Sequence, residues 1–188
     1  MKARPAAERP APVIDLDRYV PGYLTWISNK LSGGASQAYL TAFNAGIETW
    51  RLLVLLAIER TLSAQYACRV IGMDKASVSR SFKRMQAEGL ITMALDPKDG
   101  RLRLASLTDK GQALHDEIRE LALERERALL SPLSPPEREL LVDLLRRLHD
   151  NLPSVEEATR RYLQHRHPQA MRKRAARSTR TAQAATQS

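Results

Sequence analysis

The chain has 188 residues, with 30 Lys and Arg against 21 Asp and Glu, a formal net charge of +9 and a single cysteine. That length suits one ordinary domain with tails, and one cysteine rules out an internal disulfide or a zinc-finger spacing, so an intracellular, cytoplasmic protein is expected. No run approaches the roughly 18–20 apolar residues of a membrane span and no signal core opens the chain; sparse aromatics with abundant Ala and Leu favour a mainly α fold, and the basic balance points to a polyanion, most simply nucleic acid.

Residues 1–14 are rich in Pro and Ala and read as a flexible lead. Pro21 suits the first turn of a helix bearing Leu24, Ile27 and Leu31 and, beyond Gly33-Gly34, Tyr39, Leu40 and Phe43. The two glycines, each costing a helix about 1 kcal/mol, mark a kink or a close contact. Asn44-Ala45-Gly46 is a break, after which Trp50, Leu53, Val54 and Ala57 give a second helix its apolar face. Ser63 caps a short third helix that ends at Ile71-Gly72, and Asp74 caps a fourth that runs through Glu88 to a stop at Gly89. Residues 90–94 and 102–107 favour strands and flank Asp96-Pro97-Lys98-Asp99-Gly100, the composition of a hairpin turn.

Thr108 caps a long helix on Leu114, Ile118, Leu121 and Leu129. Ser134-Pro135-Pro136-Glu137 is a capping box for the next, on Leu140, Leu141, Leu144, Leu145 and Leu148. Pro153 is expected to end it, and Ser154 with Glu157 to cap a last helix to about Leu163. Residues 164–188 carry Arg166, Arg172, Lys173, Arg174, Arg177 and Arg180 without an acid and with almost no large apolar side chain, so they read as a disordered basic tail. Two thirds of the net charge lies there. Within the body, residues 60–103 hold the remaining clear excess, nine basic against four acidic side chains.

Residues 61–90, TLSAQYACRVIGMDKASVSRSFKRMQAEGL, have the form of a helix-turn-helix. On its second helix Val78, Phe82 and Met85 point inward, while at 100° per residue Ser77, Arg80 and Arg84 lie opposite Phe82, with Lys83 alongside. A small, cationic outer face is what the major groove admits, and arginine can donate two bonds to guanine. Taken alone, such a face is an ordinary solvated one. The hairpin that follows changes that: Lys98 and Arg101 at its tip form a wing reaching the backbone or minor groove, with Asp96 and Asp99 holding the turn through Asx-type bonds and orienting Arg101. Ser63, Gln65, Lys75 and Ser79 complete the expected DNA-contacting set.

MDKASVSRSFKRMQAEGLI followed by DPKDGRLRLASLTDKG resembles the MarR family of winged-helix transcription regulators, and the helix order extends the resemblance from about Val20 to Leu163. It implies a winged helix-turn-helix DNA-binding lobe at about residues 47–107 and a helical dimerisation lobe from about 20–45 and 108–163. It implies also a homodimer with interlocked terminal helices, double-stranded DNA carrying a palindromic operator as partner, and a small effector that releases the DNA. Lys98 departs from the family, where arginine is more usual. Leucine-dense terminal segments fit a dimer interface.

The resemblance places effectors between the dimerisation helices and the DNA-binding lobe. Trp26, Lys30, Tyr39, Arg51 and His115 are the groups that could meet an aromatic acid, the cations for its carboxylate and the rings for stacking, although Tyr39 and Trp50 also suit a core and Arg51 an ion pair. A hydroxylated benzoate-like or pyridine carboxylate is the sharper form of that expectation. Redox-sensing members carry their cysteine near the start of the first helix, so Cys68 is read as a small buried residue. His165-Arg166-His167 makes no convincing metal site, no cofactor is implied, and no Ser/His/Asp, paired-carboxylate or Gly-rich phosphate loop points to an enzyme. The competing reading is an architectural DNA-binding protein without sequence preference, for which the basic tail speaks.

Overall fold

The computed structural model describes residues 13–170, so the expectations for residues 1–12 and 171–188 lie outside the described residues. After a short 3-10 turn at Leu16–Arg18 come α1 (Val20–Phe43), α2 (Ile47–Glu59), β1 (Thr61–Ser63), α3 (Ala64–Ile71), α4 (Lys75–Ala87), β2 (Ile91–Leu95) and β3 (Arg103–Leu107). Three more helices follow: α5 (Asp109–Leu129), α6 (Pro135–Asp150) and α7 (Leu152–Arg166). The fold is mostly helical, as the sequence leads one to expect, and the expected hairpin is part of a three-stranded antiparallel sheet. It divides into two compact units, up to Glu126 and from Arg127 on.

In the first unit α1 runs unbroken through Gly33-Gly34. They make no kink, and Gly34 faces Arg125, whose Nη2 would stand 3.4 Å from an added Cβ, an ordinary contact. Asn44, at φ 52 and ψ 29, closes α1 in the left-handed conformation that asparagine tolerates, and α2 leaves at 84°. The buried face of α2 is Thr49, Leu52, Leu53, Leu55 and Leu56: of the expected Trp50, Leu53, Val54 and Ala57, Leu53 is fully buried and the others only partly, because α2 is covered by the sheet and by α3 and α4 as well as α1. Val78, Phe82 and Met85 of α4 close the core with Ile91, Ala105 and Ile118.

The sheet order is β1-β3-β2. The hairpin pairs Ile91 with Leu107 through Leu95 with Arg103, and Thr61–Ser63 adds to the free edge of β3. Three residues with one apolar side chain leave no period to read, so β1 is legible only through its partner.

The segment Leu107-Thr108-Asp109-Lys110-Gly111, which closes the matched string, finds its physical reason at the end of α4. Thr108 Oγ1 donates to Gly89 O at 2.7 Å and Lys110 Nζ to Glu88 O at 2.8 Å, capping carbonyls that α4 leaves open. Gly111 is buried against that same turn, where a Cβ would stand 2.0 Å from Leu90 O.

In the second unit Ser134 and Glu137 form the expected capping box, with Ser134 N donating to Glu137 Oε2 at 2.8 Å. Pro153 does not end α6 but sits in the first turn of α7, which Asn151 precedes; proline lacks only an N–H that a first turn leaves unpaired. α7 continues to Arg166, three residues past the expected limit, so the start of the expected tail is helical. Neither α6 nor α7 buries a single residue within the chain.

Candidate nucleic-acid interface and ligand site

The turn between α3 and α4 is set by local chemistry. Ser63 Oγ accepts from Tyr66 N at 3.2 Å to start α3, and Gly72, at φ +73, ends it in a conformation that a side chain would strain. Asp74 then accepts from Ser77 N at 2.9 Å and from Ser77 Oγ at 2.6 Å. These bonds hold the Asp74 carboxyl below the usual carboxylate range, the Ser77 hydroxyl bond contributing most. Arg80 Nη2 donates to Ser77 Oγ at 2.9 Å, so a cap, a hydroxyl and a guanidinium stand in one chain on the outer face of α4. Lys75, Ser79 and Lys83 are exposed on the same helix, and Gln65 on α3.

At the hairpin tip Asp96 Oδ1 accepts from Lys98 N at 2.7 Å and from Asp99 N at 3.3 Å, and Asp99 Oδ1 accepts from Arg101 N at 3.0 Å. The two carboxylates thus do shape the turn, as expected; the bond from Asp99 reaches the backbone of Arg101. Both Lys98 and Arg101 extend from it exposed. Arg84 differs from its neighbours: its guanidinium turns toward α2 and donates to Thr49 Oγ1 at 2.5 Å. Cys68 is half-buried against the core.

Of the expected ligand-binding residues, Tyr39 and His115 come together around Trp50. The Tyr39 and Trp50 rings meet edge to face at 6.0 Å, and His115 stacks on Trp50 at 5.5 Å. His115 Nδ1 lies 2.9 Å from Asp116 Oδ1, which also accepts from Gln112 Nε2 at 3.1 Å; the His115 bond, first, and the Gln112 bond hold Asp116 below the usual carboxylate range. Burial pushes the Tyr39 phenol up, opposed by the charge of Arg125. Arg51 Nη2 donates to Ser32 Oγ at 3.0 Å rather than pairing with an acid, and Arg125 Nη2 donates to Leu31 O at 3.0 Å.

Trp26 and Lys30 stand apart from these rings. They lie 13 and 9 residues before Tyr39 on the same helix, about 20 and 13 Å along its axis, and Trp26 instead packs on Tyr23 at 5.7 Å. Arg125 is the member that the sequence reading missed. His115, Ile118, Ala122 and Arg125 recur at helical spacing on α5, and an arginine on an otherwise core-facing stripe was the signal. An open cleft of about 360 Å³ lies nearby, lined by Phe43, Leu90, Lys110 and Leu114 with Glu88 and Glu117. Two carboxylates and a lysine already bonded to Glu88 O suit it poorly to an anion. Among the described residues no group of three His, Cys, Asp or Glu is placed to hold a metal.

Four consecutive residues at the start of α2 face two ways. Glu48 and Thr49 bond to Ser81 and Arg84 of α4, while Trp50 and Arg51 face the groups from α1 and α5.

Residues 46–102 match the sequence model of the MarR family. YdgJ of Bacillus subtilis (strain 168), described as an uncharacterized HTH-type transcriptional regulator, is 32% identical over 131 residues, 68% of this chain and 76% of its own. Among solved structures, a MarR/EmrR family transcriptional regulator from Acinetobacter sp. ADP1 is 30% identical with a TM-score of 0.70, covering 75% of this chain and 99% of its own. The MepR–DNA complex of S. aureus shares the fold at 24% identity and a TM-score of 0.64, over 72% of this chain and 99% of MepR.

Proposed function

Because this chain belongs to the MarR family of winged-helix, DNA-binding transcription regulators, we propose that it acts as a homodimeric repressor, released from a palindromic operator by an aromatic carboxylate. The observation that carries DNA reading is the outer face of α4, where Asp74, Ser77 and Arg80 are bonded in series beside exposed Lys75, Ser79 and Lys83. In this reading Arg80 donates to a base edge, the smaller side chains let α4 approach, and Ser63, Gln65, Lys98 and Arg101 meet backbone or minor groove. The same fold in MepR is known bound to DNA.

Dimerisation rests on surface. Leu140, Leu144, Leu148 and Leu152 of α6 and α7 are 42–57% exposed in the single chain, as are Leu16 and Val20 at its start, at 53% and 54%. A second copy covers such stripes, which would otherwise favour aggregation, and sets two recognition helices about 10 bp apart. For the effector, Tyr39, Trp50 and His115 supply rings, and Arg51 and Arg125 supply guanidiniums for a carboxylate. A ligand that moves Trp50 or Arg51 pulls on the helical turn whose other two residues hold α4. It thereby favours conformers with displaced recognition helices.

Binding to operator and to random duplex at two salt concentrations tests the repressor reading against an architectural one. Arg80→Ala is expected to cost about 1–3 kcal/mol on the operator and much less on random DNA. Equal losses on both would overturn base reading. Titrating hydroxybenzoates and pyridine carboxylates, with operator release and melting temperature as readouts, tests the effector; no response to any of them would remove it.

A further inference from the structure

Two side-chain bonds fasten α4 to α2. Ser81, 4% exposed, donates from Oγ to Glu48 Oε2 at 3.1 Å, and one turn later Arg84 donates to the hydroxyl of Thr49, a residue 1% exposed. A hydrogen bond from a guanidinium to a buried oxygen is of the stronger kind, and losing it strands the acceptor away from water. Arg84 Nε also stands 3.9 Å from the Glu88 carboxylate. The Arg84 side chain, 51% exposed, is thus tied at its tip to α2, whereas Arg80, one turn earlier, holds its guanidinium over Ser77 on the outer face.

We propose that Arg84 is a positioning residue of DNA recognition and not a base reader. With Thr49 it fixes the C-terminal half of α4 to the first turn of α2, and the Ser81–Glu48 bond is the second point of the same attachment. One point would leave the helix free to rotate about it; two points a turn apart set the angle at which Arg80 is presented. The other buried side chains of α4, Val78, Phe82 and Met85, are apolar; they choose the face that α4 buries, and the two directional bonds trim its rotation within that packing.

The test uses the full chain and a duplex that it selects from a randomised library. Thr49→Val removes the acceptor at nearly constant shape, Arg84→Ala removes the donor, and Thr49→Ser keeps the hydroxyl. Thr49→Val and Arg84→Ala are each expected to lower affinity for the selected duplex about ten-fold, the double variant to be no weaker than the weaker single variant, and Thr49→Ser to match the parent. Thr49→Val leaves binding to random duplex unchanged, which a general loss of stability would not do. Base preferences reselected with Arg84→Ala are expected to stay the same at every position.

Losses that multiply in the double variant, or a preference that Arg84→Ala relaxes at one base position, would overturn the inference. A library from which the parent enriches no sequence would instead remove specific DNA reading, and the inference with it.

Discussion

The imidazole of His115 lies stacked on the indole of Trp50, their centroids 5.5 Å apart and their planes 21° from parallel, joining α5 to α2 through rings that are 50 and 115 in sequence. His115 is 9% exposed and its Nδ1 faces the Asp116 carboxylate, so the ring is held on one face by stacking and at one edge by a hydrogen bond.

Removing that ring should be felt in stability. His115→Ala is expected to cost about 2 kcal/mol in urea unfolding, from lost stacking and the cavity left beside Trp50, whereas His115→Phe, which keeps the stack, should cost less than half as much. With Trp26 replaced by Phe so that Trp50 alone reports, the emission maximum should shift to the red in the alanine variant alone. Equal losses for the two variants would show that the bond to Asp116, and not the stack, holds the ring.

Gly111 should tolerate no side chain. A Cβ there would stand 2.0 Å from the backbone oxygen of Leu90, and a carbonyl in the turn after α4 cannot rotate away as a flexible side chain could. Gly111→Ala is expected to destabilise the chain by at least about 2 kcal/mol, read as a lower melting temperature. By contrast Gly33→Ala, which meets nothing within 4 Å in α1, should be neutral or stabilising.

Asp74 links the recognition helix to pH. Its folded pKa is lowered by the Ser77 bonds, so its contribution to stability is fully present above the unfolded value, about 3.9, and is lost as pH falls from there through the folded value. Asp74→Asn keeps an oxygen for the Ser77 amide but carries no titrating charge. Denaturant midpoints measured from pH 7 to pH 2.5 should therefore fall less steeply in Asp74→Asn than in the parent at the acid end. Parallel curves would count against the cap as a source of acid sensitivity.

The basic residues beyond α7 should act on affinity and not on choice. A chain ending at Ala170 lacks Arg172, Lys173, Arg174, Arg177 and Arg180. It is expected to bind operator and random duplex more weakly by the same factor, with a shallower dependence of log affinity on log salt, since fewer counterions are released. A changed ratio of operator to random affinity would mean that the segment takes part in sequence reading.

Local patterns account for most of what the sequence determined by itself. The caps at Ser63, Asp74 and Ser134, the stop at Gly72, the Asx-bonded turn at Asp96 and Asp99 and the inward set Val78, Phe82 and Met85 all depend on partners within a few residues or on a helical period, and each is found where the sequence places it. The segment from Leu107 to Gly111 is recognisable in the sequence as a pattern, but its reason, two caps and a close approach to the end of α4, lies in the tertiary structure.

What only tertiary structure decided involves partners far apart in the chain. β1 exists because β3 offers an edge, and Trp26 and Lys30 fall away from Tyr39 because one unbroken helix separates them while Trp50 and His115 come to Tyr39 from α2 and α5. The two arginines of α4 make the contrast plainest. On a helical wheel Arg80 and Arg84 share a face, yet an arginine side chain is long enough to turn its tip toward a buried hydroxyl, and the acceptor on Thr49, 35 residues away, engages Arg84 while Arg80 stays over Ser77.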